Sequence, residues 1–340
     1  MQTVILKVIK INNKWIIATI ALSICFIVLL FMYISDSKAQ EEKENYIHWV
    51  EYSVPYKIMD KTAKIDIESQ KEEVQIDWIE LIAYLATKYG GNFKNYKEQD
   101  LNDVLKELKE GEIMENLVSN DKLYEYYLES YSAILGEFIG KYKIEKVGKN
   151  GKKTYEEEYG VKAFSPIAKN YSFSHYNDFG AARSYGYKRM HLGNDLMGAI
   201  GTPIIAVESG TIEAMGWNQY GGWRIGIRSF DKKRYYYYAH LRKDHPFVKS
   251  LKEGDIVTAG DVIGYLGMTG YSTKENVNNI NIPHLHFGIQ LIFNESQKEG
   301  TNQIWIDVYE IINFLKRNQS EVYRPNNGTK EFERKYKMEE

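Results

Sequence analysis

The sequence predicts an α+β chain: a membrane anchor, a helical N-terminal region, and an antiparallel β-sheet C-terminal region with a groove. Three observations support this fold class. Residues 15–34 are uncharged and apolar, residues 46–140 place apolar side chains at helical spacing, and residues 161–317 consist of short apolar pieces broken by glycines. The net charge of −2 and the lack of a basic stripe give no indication of nucleic-acid binding, so we expect no nucleic-acid partner.

Residues 15–34 are long enough to cross a membrane, since twenty helical residues span about 30 Å. Three lysines precede this run within residues 1–14, so the positive-inside rule predicts a cytoplasmic tail there. We therefore expect a single-pass protein of the cell membrane, with all later residues outside the cytoplasm. A cleaved signal peptide is the alternative, because Ser37 and Ala39 provide a small-x-small pattern.

Cysteine occurs once, as Cys25 inside the apolar run, so no disulfide can form in the outer part. An exported chain without disulfides depends on its hydrophobic core, on a metal ion, or on both.

Residues 46–140 are predicted to form a small helical bundle. One helix contains Trp78, with Gly90 and Gly91 ending it; a second is predicted to be capped by Asp100. A third helix is predicted over residues 123–138. The region lacks a recognisable catalytic motif, and we regard it as a candidate surface for a protein partner.

The charged, glycine-containing residues 141–160 indicate a linker or an exposed hairpin. The β region is predicted over residues 161–317, where alternating apolar residues and regular glycines favour many short antiparallel strands. Residues 318–340 are charged, and we predict a loose tail.

Four of the seven histidines lie in distinctive settings within the β region. His191 opens HLGND, His240 closes YYYYAHL, and His284 and His286 occur as HLH. In a strand, residues i and i+2 point the same way, so the last two imidazoles face one site. A single strand histidine is most often structural, but these motifs together favour a metal centre. Zinc suits imidazoles combined with a carboxylate, and Asp195 in HLGND supplies one.

Residues 164–315 resemble the lysostaphin/LytM-type zinc endopeptidases of bacterial peptidoglycan. The similarity rests on motifs in the family order, which are HLGND, GTPIIAVESGTI, YYYYAHL, EGDIVTAGDVIGYLGMTG and PHLHFGI. Two further stretches, NDFGAARSYGYKRMH and GWNQYGGWRIGIRS, resemble the sporulation L-Ala–D-Glu endopeptidase type within that family.

The resemblance implies a zinc-dependent peptidase domain over residues 161–317, acting on peptide bonds of the peptidoglycan stem, with L-Ala–D-Glu as the candidate bond. It also implies a role for each motif residue. The zinc ligands would be His191, Asp195 and His286. His284 would be the general base, and His240 would be the second catalytic histidine. Tyr185 would be the tyrosine that polarises the transition state, and Tyr187 competes with it for that role. His48, His175 and His245 lie outside the motifs and are not assigned to the site.

Two alternatives belong to other classes of function. A non-catalytic, membrane-anchored scaffold or activator of the same fold is one, although such relatives usually lack metal ligands and all three are present here. A lipoyl- or biotin-carrier domain is the other, suggested by the hairpin pattern of residues 253–267, but the modifiable lysine is missing. The aromatic residues Trp217, Tyr220 and Trp223 either line a peptide groove or pack in the core.

Overall fold

The computed structural model describes most of the chain and divides it into two compact units, Met1–Ile47 and His48–Glu340. The residues described are 23–32, 46–148, 150–185, 187–326, 328–329 and 331–340. Within the first unit, residues 23–32 are helical. No helix among the described residues is long and apolar enough to cross a membrane. Half of the span predicted over residues 15–34 lies outside the described residues.

The second unit begins with helices, as the sequence predicts. They are α1 (Tyr56–Ser69), α2 (Trp78–Tyr89), α3 (Glu98–Lys109), α4 (Met114–Leu117) and α5 (Asp121–Leu135), and a later helix is α6 (Tyr309–Leu315). Helix α2 begins at Asp77, whose side chain accepts hydrogen bonds from the backbone N–H groups of Ile79 and Glu80. It ends at Gly90, which adopts φ 59°, a left-handed conformation that glycine takes without strain.

Two predictions for this region need correction. Asp100 does not cap α3, because that helix starts at Glu98 and Asp100 lies in its first turn. Its carboxylate instead accepts a hydrogen bond from Lys88 Nζ at 2.7 Å. The helix predicted over residues 123–138 begins two residues earlier at Asp121, where Asn120 caps it, and ends at Leu135.

The described strands of the second unit pair antiparallel throughout, which confirms the predicted sheet type. They are β1 (Ile139–Val147), β2 (Lys153–Val161), β3 (Ser174–His175), β4 (Ala182–Tyr185), β5 (Tyr187–Met190), β6 (Asn194–Met197), β7 (Pro203–Ile205), β8 (Gly210–Asn218), β9 (Gly222–Ser229), β10 (Arg234–Ala239), β11 (Ile256–Val257), β12 (Val262–Tyr265), β13 (His284–Leu291), β14 (Ile304–Ile306), β15 (Val322–Tyr323), β16 (Glu333–Arg334) and β17 (Met338–Glu339). The main sheet has the order β11-β8-β9-β10-β13-β6-β3, with β14 also paired to β13.

The main sheet has one dry face because alternate residues of its central strands are apolar or aromatic. Ile227, Tyr236 and Phe287 lie on adjacent strands and are each fully buried. Alternation along β10 and β13 places Tyr237 and His286 on the opposite face. The same alternation that makes the core therefore exposes a second row of side chains to a groove.

Residues 141–160 lie in the β1–β2 hairpin, the second of the two predicted possibilities. The tail, residues 318–340, is not loose as predicted: β17 pairs with β1, and Met338 is 5% exposed in a core cluster with Phe164. Charged residues dominate the composition of this segment, so its few buried apolar residues were not recognised from the sequence.

A buried ion pair joins the helical region to the main sheet. Arg234 is 0% exposed and donates hydrogen bonds to Glu208 Oε2 at 2.8 Å and Oε1 at 3.1 Å. The same guanidinium donates to the carbonyl oxygen of Ala133 in α5 at 2.6 Å and to Asp231 Oδ2 at 2.8 Å. The sheet and the helices therefore share one polar contact that water does not reach.

Candidate metal centre

The HLGND and HLH motifs meet because β6 pairs with β13. In this register His286 lies opposite Asp195. Gly193 allows the close approach: a Cβ atom there would lie 2.7 Å from both Cε1 and Nε2 of the His286 ring. The glycine of HLGND is therefore a steric requirement for bringing the two motifs together.

Three side-chain atoms converge at this point. His191 Nε2 lies 3.0 Å from Asp195 Oδ1 and 2.9 Å from His286 Nδ1, and His286 Nδ1 lies 3.0 Å from Asp195 Oδ1. Among the residues that the structure describes, these three form the only group of histidine, cysteine and acidic side chains close enough to hold a metal ion.

The donor set fits zinc. Two imidazole nitrogens and one carboxylate oxygen leave a fourth tetrahedral position open, as in catalytic zinc sites. Ligand atoms about 2.0–2.2 Å from zinc lie roughly 3.3–3.6 Å apart in a tetrahedron, and the observed triangle is only slightly tighter. Neutral imidazole lone pairs and an ionised carboxylate repel one another at this distance unless a proton or a metal ion lies among them.

Burial and mutual contact shift the three ligands differently. Burial would raise the pKa of Asp195, but hydrogen bonds from His191 and His286 outweigh it and hold that pKa well below its usual range. Burial lowers the pKa of His286, and the neighbouring Asp195 offsets this only in part. For His191 burial also acts to lower the pKa, but the hydrogen bond and charge of Asp195 outweigh it and raise the pKa. The carboxylate is therefore ionised, as metal binding requires.

His284 lies on the same face of β13, one pleat from His286. Its Nδ1 lies 2.7 Å from the carbonyl oxygen of Ile282, which assigns the hydrogen to Nδ1. Its Nε2 then carries a lone pair and lies 3.7 Å from Asp195 Oδ1. The side chain is therefore next to the ligand triangle, with a proton acceptor directed at it.

His240 completes a group of imidazoles in the groove. Its ring centroid is 4.9 Å from that of His284, and its Nδ1 donates to the carbonyl oxygen of Thr269 at 2.9 Å. Burial, reinforced by His284 and His286, holds the pKa of His240 well below its usual range, so the ring is neutral. The backbone of His240 has φ 62°, an uncommon conformation for a residue that is not glycine. Such a conformation is typical of functional sites.

Asp178 lies beside His191 but belongs to none of the histidine motifs. Its Oδ1 lies 3.1 Å from His191 Nδ1, and its backbone carbonyl lies 3.3 Å from the same nitrogen. Arg183 donates to the other carboxylate oxygen, and its Nη2 lies 3.7 Å from Asp195 Oδ2. Nδ1 of His191 therefore has both acceptor oxygens of Asp178 and a donor, Arg183 Nη2 at 3.3 Å, beside it. Metal binding through Nε2 requires the hydrogen on Nδ1, and the oxygens of Asp178 can then accept it.

The remaining candidates are distributed as follows. Tyr185 ends β4, but its side chain and that of Tyr187 lie outside the described residues. Tyr220 lines the groove, whereas Trp217 and Trp223 pack against each other at 5.7 Å between ring centroids. Two of the histidines left unassigned have structural partners: His175 contacts Asn194 at 2.6 Å, and His245 stacks on Tyr265 with 4.9 Å between ring centroids.

The groove that contains these side chains has a volume of about 570 Å³. Its walls come from the β4–β5 hairpin, the open face of the main sheet, and the segment after β13. A groove of this size with a metal triangle on its floor suits an extended peptide.

Comparison with known proteins gives the same result as the geometry. The family model of peptidase family M23 matches residues 189–300, which include His191, Asp195, His240, His284 and His286 but not Asp178. The L-Ala–D-Glu endopeptidase of Bacillus subtilis strain 168 is 40% identical over 124 residues, which are 36% of this chain and 36% of that protein. Lysostaphin from Staphylococcus simulans is 43% identical over 99 residues, 29% of this chain and 17% of that protein.

Solved structures with this similarity include the catalytic domain of lysostaphin from Staphylococcus simulans, which is 32% identical with a TM-score of 0.32. The match covers 42% of this chain and 92% of that one. A zinc-containing peptidase from Vibrio cholerae is 24% identical with a TM-score of 0.31, and the match covers 44% of each chain. The chain spans about a third of the length of the B. subtilis relative. The match nevertheless includes the complete metal triangle, so the chain carries a peptidase domain of family M23 at residues 189–300.

Proposed function

We propose that this protein is a zinc-dependent endopeptidase that hydrolyses peptide bonds of bacterial peptidoglycan. The observation that carries the proposal is the convergence of His191, Asp195 and His286 with a proton acceptor, His284 Nε2, beside them. All the groups needed for metal-assisted hydrolysis of an amide therefore lie in one groove.

Zinc, when bound, supplies a Lewis acid for the scissile carbonyl and lowers the pKa of a water molecule that it binds. His284 takes the proton of the attacking water at Nε2, because Nδ1 is already occupied by its hydrogen bond to Ile282. The same nitrogen then passes that proton to the leaving amine. His240 is neutral and fixed by Thr269, so its Nε2 is directed into the groove as a second polar group for the reacting carbonyl.

The non-catalytic alternative has no support in the ligand set. A scaffold that only binds a partner has no need for three metal ligands or for two further imidazoles with fixed tautomers. The described residues retain every one of these groups within the groove.

The scissile bond that we propose is L-Ala–D-Glu in the stem peptide. The support is the B. subtilis L-Ala–D-Glu endopeptidase, which is 40% identical over the segment that contains the metal triangle. Lysostaphin shows comparable identity over a shorter segment. We also propose a role in cell-wall or spore-cortex remodelling, on the basis of the same relative and the motifs shared with sporulation enzymes.

We further propose that the protein is anchored in the cell membrane with the peptidase domain outside the cytoplasm. The support is the uncharged run of residues 15–34 with lysines on its N-terminal side. A substrate outside the membrane requires this orientation. Protease added to intact protoplasts should remove the bulk of the chain, whereas protection of residues beyond 40 would contradict the orientation.

Digestion of purified peptidoglycan with the full chain, followed by mass spectrometry of the fragments, tests the activity and the bond together. New N-terminal D-Glu and free L-Ala termini are the expected products. Addition of a chelator should stop the reaction, and zinc should restore it. Intact peptidoglycan after incubation with zinc-loaded protein would overturn the proposed function.

A further inference from the structure

The groove is basic beyond the metal centre. Among the residues that line it, the cationic side chains are Arg189, Arg224, Arg228 and Lys298, and the acidic ones are Asp195, Glu213 and Glu299. Asp195 is one of the three candidate metal ligands, so a bound metal ion would balance its charge. A cation that already has a carboxylate partner within the protein is not available to bind an external anion.

Two of the cations are paired. Arg228 donates to Glu213 through Nε and Nη2, both at 2.8 Å, in a bidentate ion pair. Lys298 Nζ lies 2.7 Å from Glu295 Oε2. These two side chains are therefore neutralised by carboxylates of the protein itself, although Arg228 Nη1 is also a buried nitrogen without a hydrogen-bond partner among the described residues.

Arg224 differs from its neighbours. No carboxylate of the described residues lies within ion-pair distance of its guanidinium, and its Nη1 is a buried nitrogen without a hydrogen-bond partner among those residues. Arg189 also has a buried Nη1 without a hydrogen-bond partner, but its guanidinium stacks at 4.8 Å from the ring centroid of Tyr271. Among the groove cations of the described residues, Arg224 has neither a carboxylate partner nor a stacked aromatic ring, so it is the position at which we expect an external anion to bind.

The register of the main sheet places Arg224 relative to the metal centre. Tyr238 pairs with Ile225, so the next residues along these two strands, Ala239 and Arg224, lie side by side. Ala239 in turn pairs with His286. The three residues form one row across β13, β10 and β9.

The distance along this row matches a short piece of peptide. Adjacent strands lie about 4.8 Å apart, so the Cα atoms of Arg224 and His286 are separated by roughly 10 Å. The methyl group of Ala239 lies between them in this row, and Tyr237 on the same face borders it, with its ring centroid 5.9 Å from that of His286. An extended peptide advances about 3.3 Å per residue, and the arginine side chain extends toward it. A group on a residue next to the scissile bond is therefore within reach.

We propose that Arg224 binds a free carboxylate of the substrate, on a residue adjacent to the scissile bond, and so makes the groove selective for acidic peptides. This inference rests on the proposed function. In an L-Ala–D-Glu bond the glutamyl residue uses one carboxyl group to continue the chain and keeps the other free. A guanidinium is the side chain best suited to hold that group, because it donates two parallel hydrogen bonds.

The position of Arg224 among tyrosines is consistent with this role. Its positive charge acts to lower the pKa of both Tyr235 and Tyr237, although burial dominates and raises both. Both tyrosines line the groove, so the charge lies at the groove surface and not behind it.

A matched pair of peptides tests the proposal. One peptide has D-glutamate with its free carboxylate after the scissile bond, and in the other that same carboxylate is converted to the amide. We expect the full, zinc-loaded chain to prefer the carboxylate peptide by roughly ten- to hundredfold in kcat/KM. Arg224→Gln should reduce this preference to near unity. Arg224→Lys, which keeps the charge but loses the fork, should retain part of it.

Lys233→Gln is the matched control. This lysine is exposed in the turn between β9 and β10, so the substitution removes one positive charge from the same hairpin without changing the groove. It should keep the wild-type preference. Zinc content and thermal unfolding of each variant show whether a lost preference reflects recognition or misfolding.

The outcomes separate this proposal from the proposed function. Cleavage of both peptides with equal efficiency by the wild-type chain would overturn the role of Arg224 and leave the endopeptidase function intact. Cleavage of neither would overturn the function; calorimetric binding of the two peptides then decides the recognition step alone. Equal dissociation constants for carboxylate and amide would contradict the proposal, and a preference lost in Arg224→Gln would support it.

Discussion

His191 is held between two carboxylates, with Nδ1 lying 3.1 Å from Asp178 Oδ1 and Nε2 lying 3.0 Å from Asp195 Oδ1. Only the second carboxylate belongs to the metal triangle. The first lies beside the nitrogen that must carry the hydrogen when Nε2 binds a metal, so we expect it to support the ring orientation and, through it, metal affinity.

Asp178→Asn should therefore lower zinc affinity by roughly ten- to hundredfold, which is the usual effect of losing a carboxylate behind a metal-bound histidine. Competition against a chelator of known affinity measures the change. Asp103→Asn, an exposed substitution in α3, is the control and should bind zinc like the parent. Unchanged affinity in the Asp178 variant would show that His191 needs no support from this side.

A second series, of alanine variants, should distinguish the metal ligands from the proton acceptors. Ala substitutions of His191, Asp195 or His286 each remove one of three protein ligands, so zinc content should fall with activity. His284→Ala should keep most of its zinc but lose about 10²–10⁴ in rate, because nothing then takes the proton.

His240→Ala should resemble the His284 variant in metal content. Zinc stoichiometry and hydrolysis measured on the same preparations decide the assignment. Loss of zinc from the His284 variant with retention in the His286 variant would reverse the roles of the two imidazoles.

The metal-free protein should lose stability in mild acid. The pKa values of His175, His240 and His286 are lowered in the folded state, by burial in each case. Below an unfolded pKa of about 6.5 the unfolded chain then binds more protons, so the free energy of unfolding falls as the pH falls. His191 opposes this, because its pKa is raised and its contribution is lost as the pH rises.

Urea unfolding with a chelator present, at pH 7.5 and pH 5.5, measures this effect. His175 is one of the three histidines with a lowered pKa, and it is not a candidate metal ligand. The free energy of unfolding of the His175→Gln variant should therefore depend less steeply on pH than that of the parent. Equal stability of the parent at both pH values would contradict the expected sign.

The three side chains that converge in the structure are the ones that the family resemblance implied as zinc ligands, and local spacing supported only part of that assignment. The histidine and aspartate of HLGND are close in sequence, as are the two histidines of HLH. Strand alternation predicts that His284 and His286 share a face. Asp178 could not be found in this way, since its relation to His191 depends on how the chain turns between β3 and β5. Its position in NDFG, within a motif similar to sporulation enzymes, was the only available signal.

Errors in the helical region and the tail had physical causes of the same kind. Asp100 is a good capping residue by type, but Lys88 and Tyr89 of α2 offered it stronger partners in three dimensions. The tail looked unstructured because charge dominates its composition, yet the pairing of β17 with β1 buries Met338. Tertiary contacts overrode the local preference in both places.

The buried ion pair allows a prediction about stability. Arg234→Ala leaves Glu208 buried without its cation, which should lower the free energy of unfolding by about 3–5 kcal/mol. Lys64→Ala, which breaks an exposed pair with Glu68, should cost only about 0–1 kcal/mol. Chemical denaturation of both variants makes the comparison, and similar costs would mean that Arg234 is not an essential contact.

The hydrogen bond from Arg234 to the Ala133 carbonyl also has a consequence for cooperativity. The guanidinium is satisfied only when α5 and the main sheet are both formed, so helices and sheet should melt in a single transition. In an excised β region the guanidinium of Arg234 would lose its acceptor in α5 and face water instead. We therefore expect the excised region to unfold at a lower denaturant concentration than the full chain.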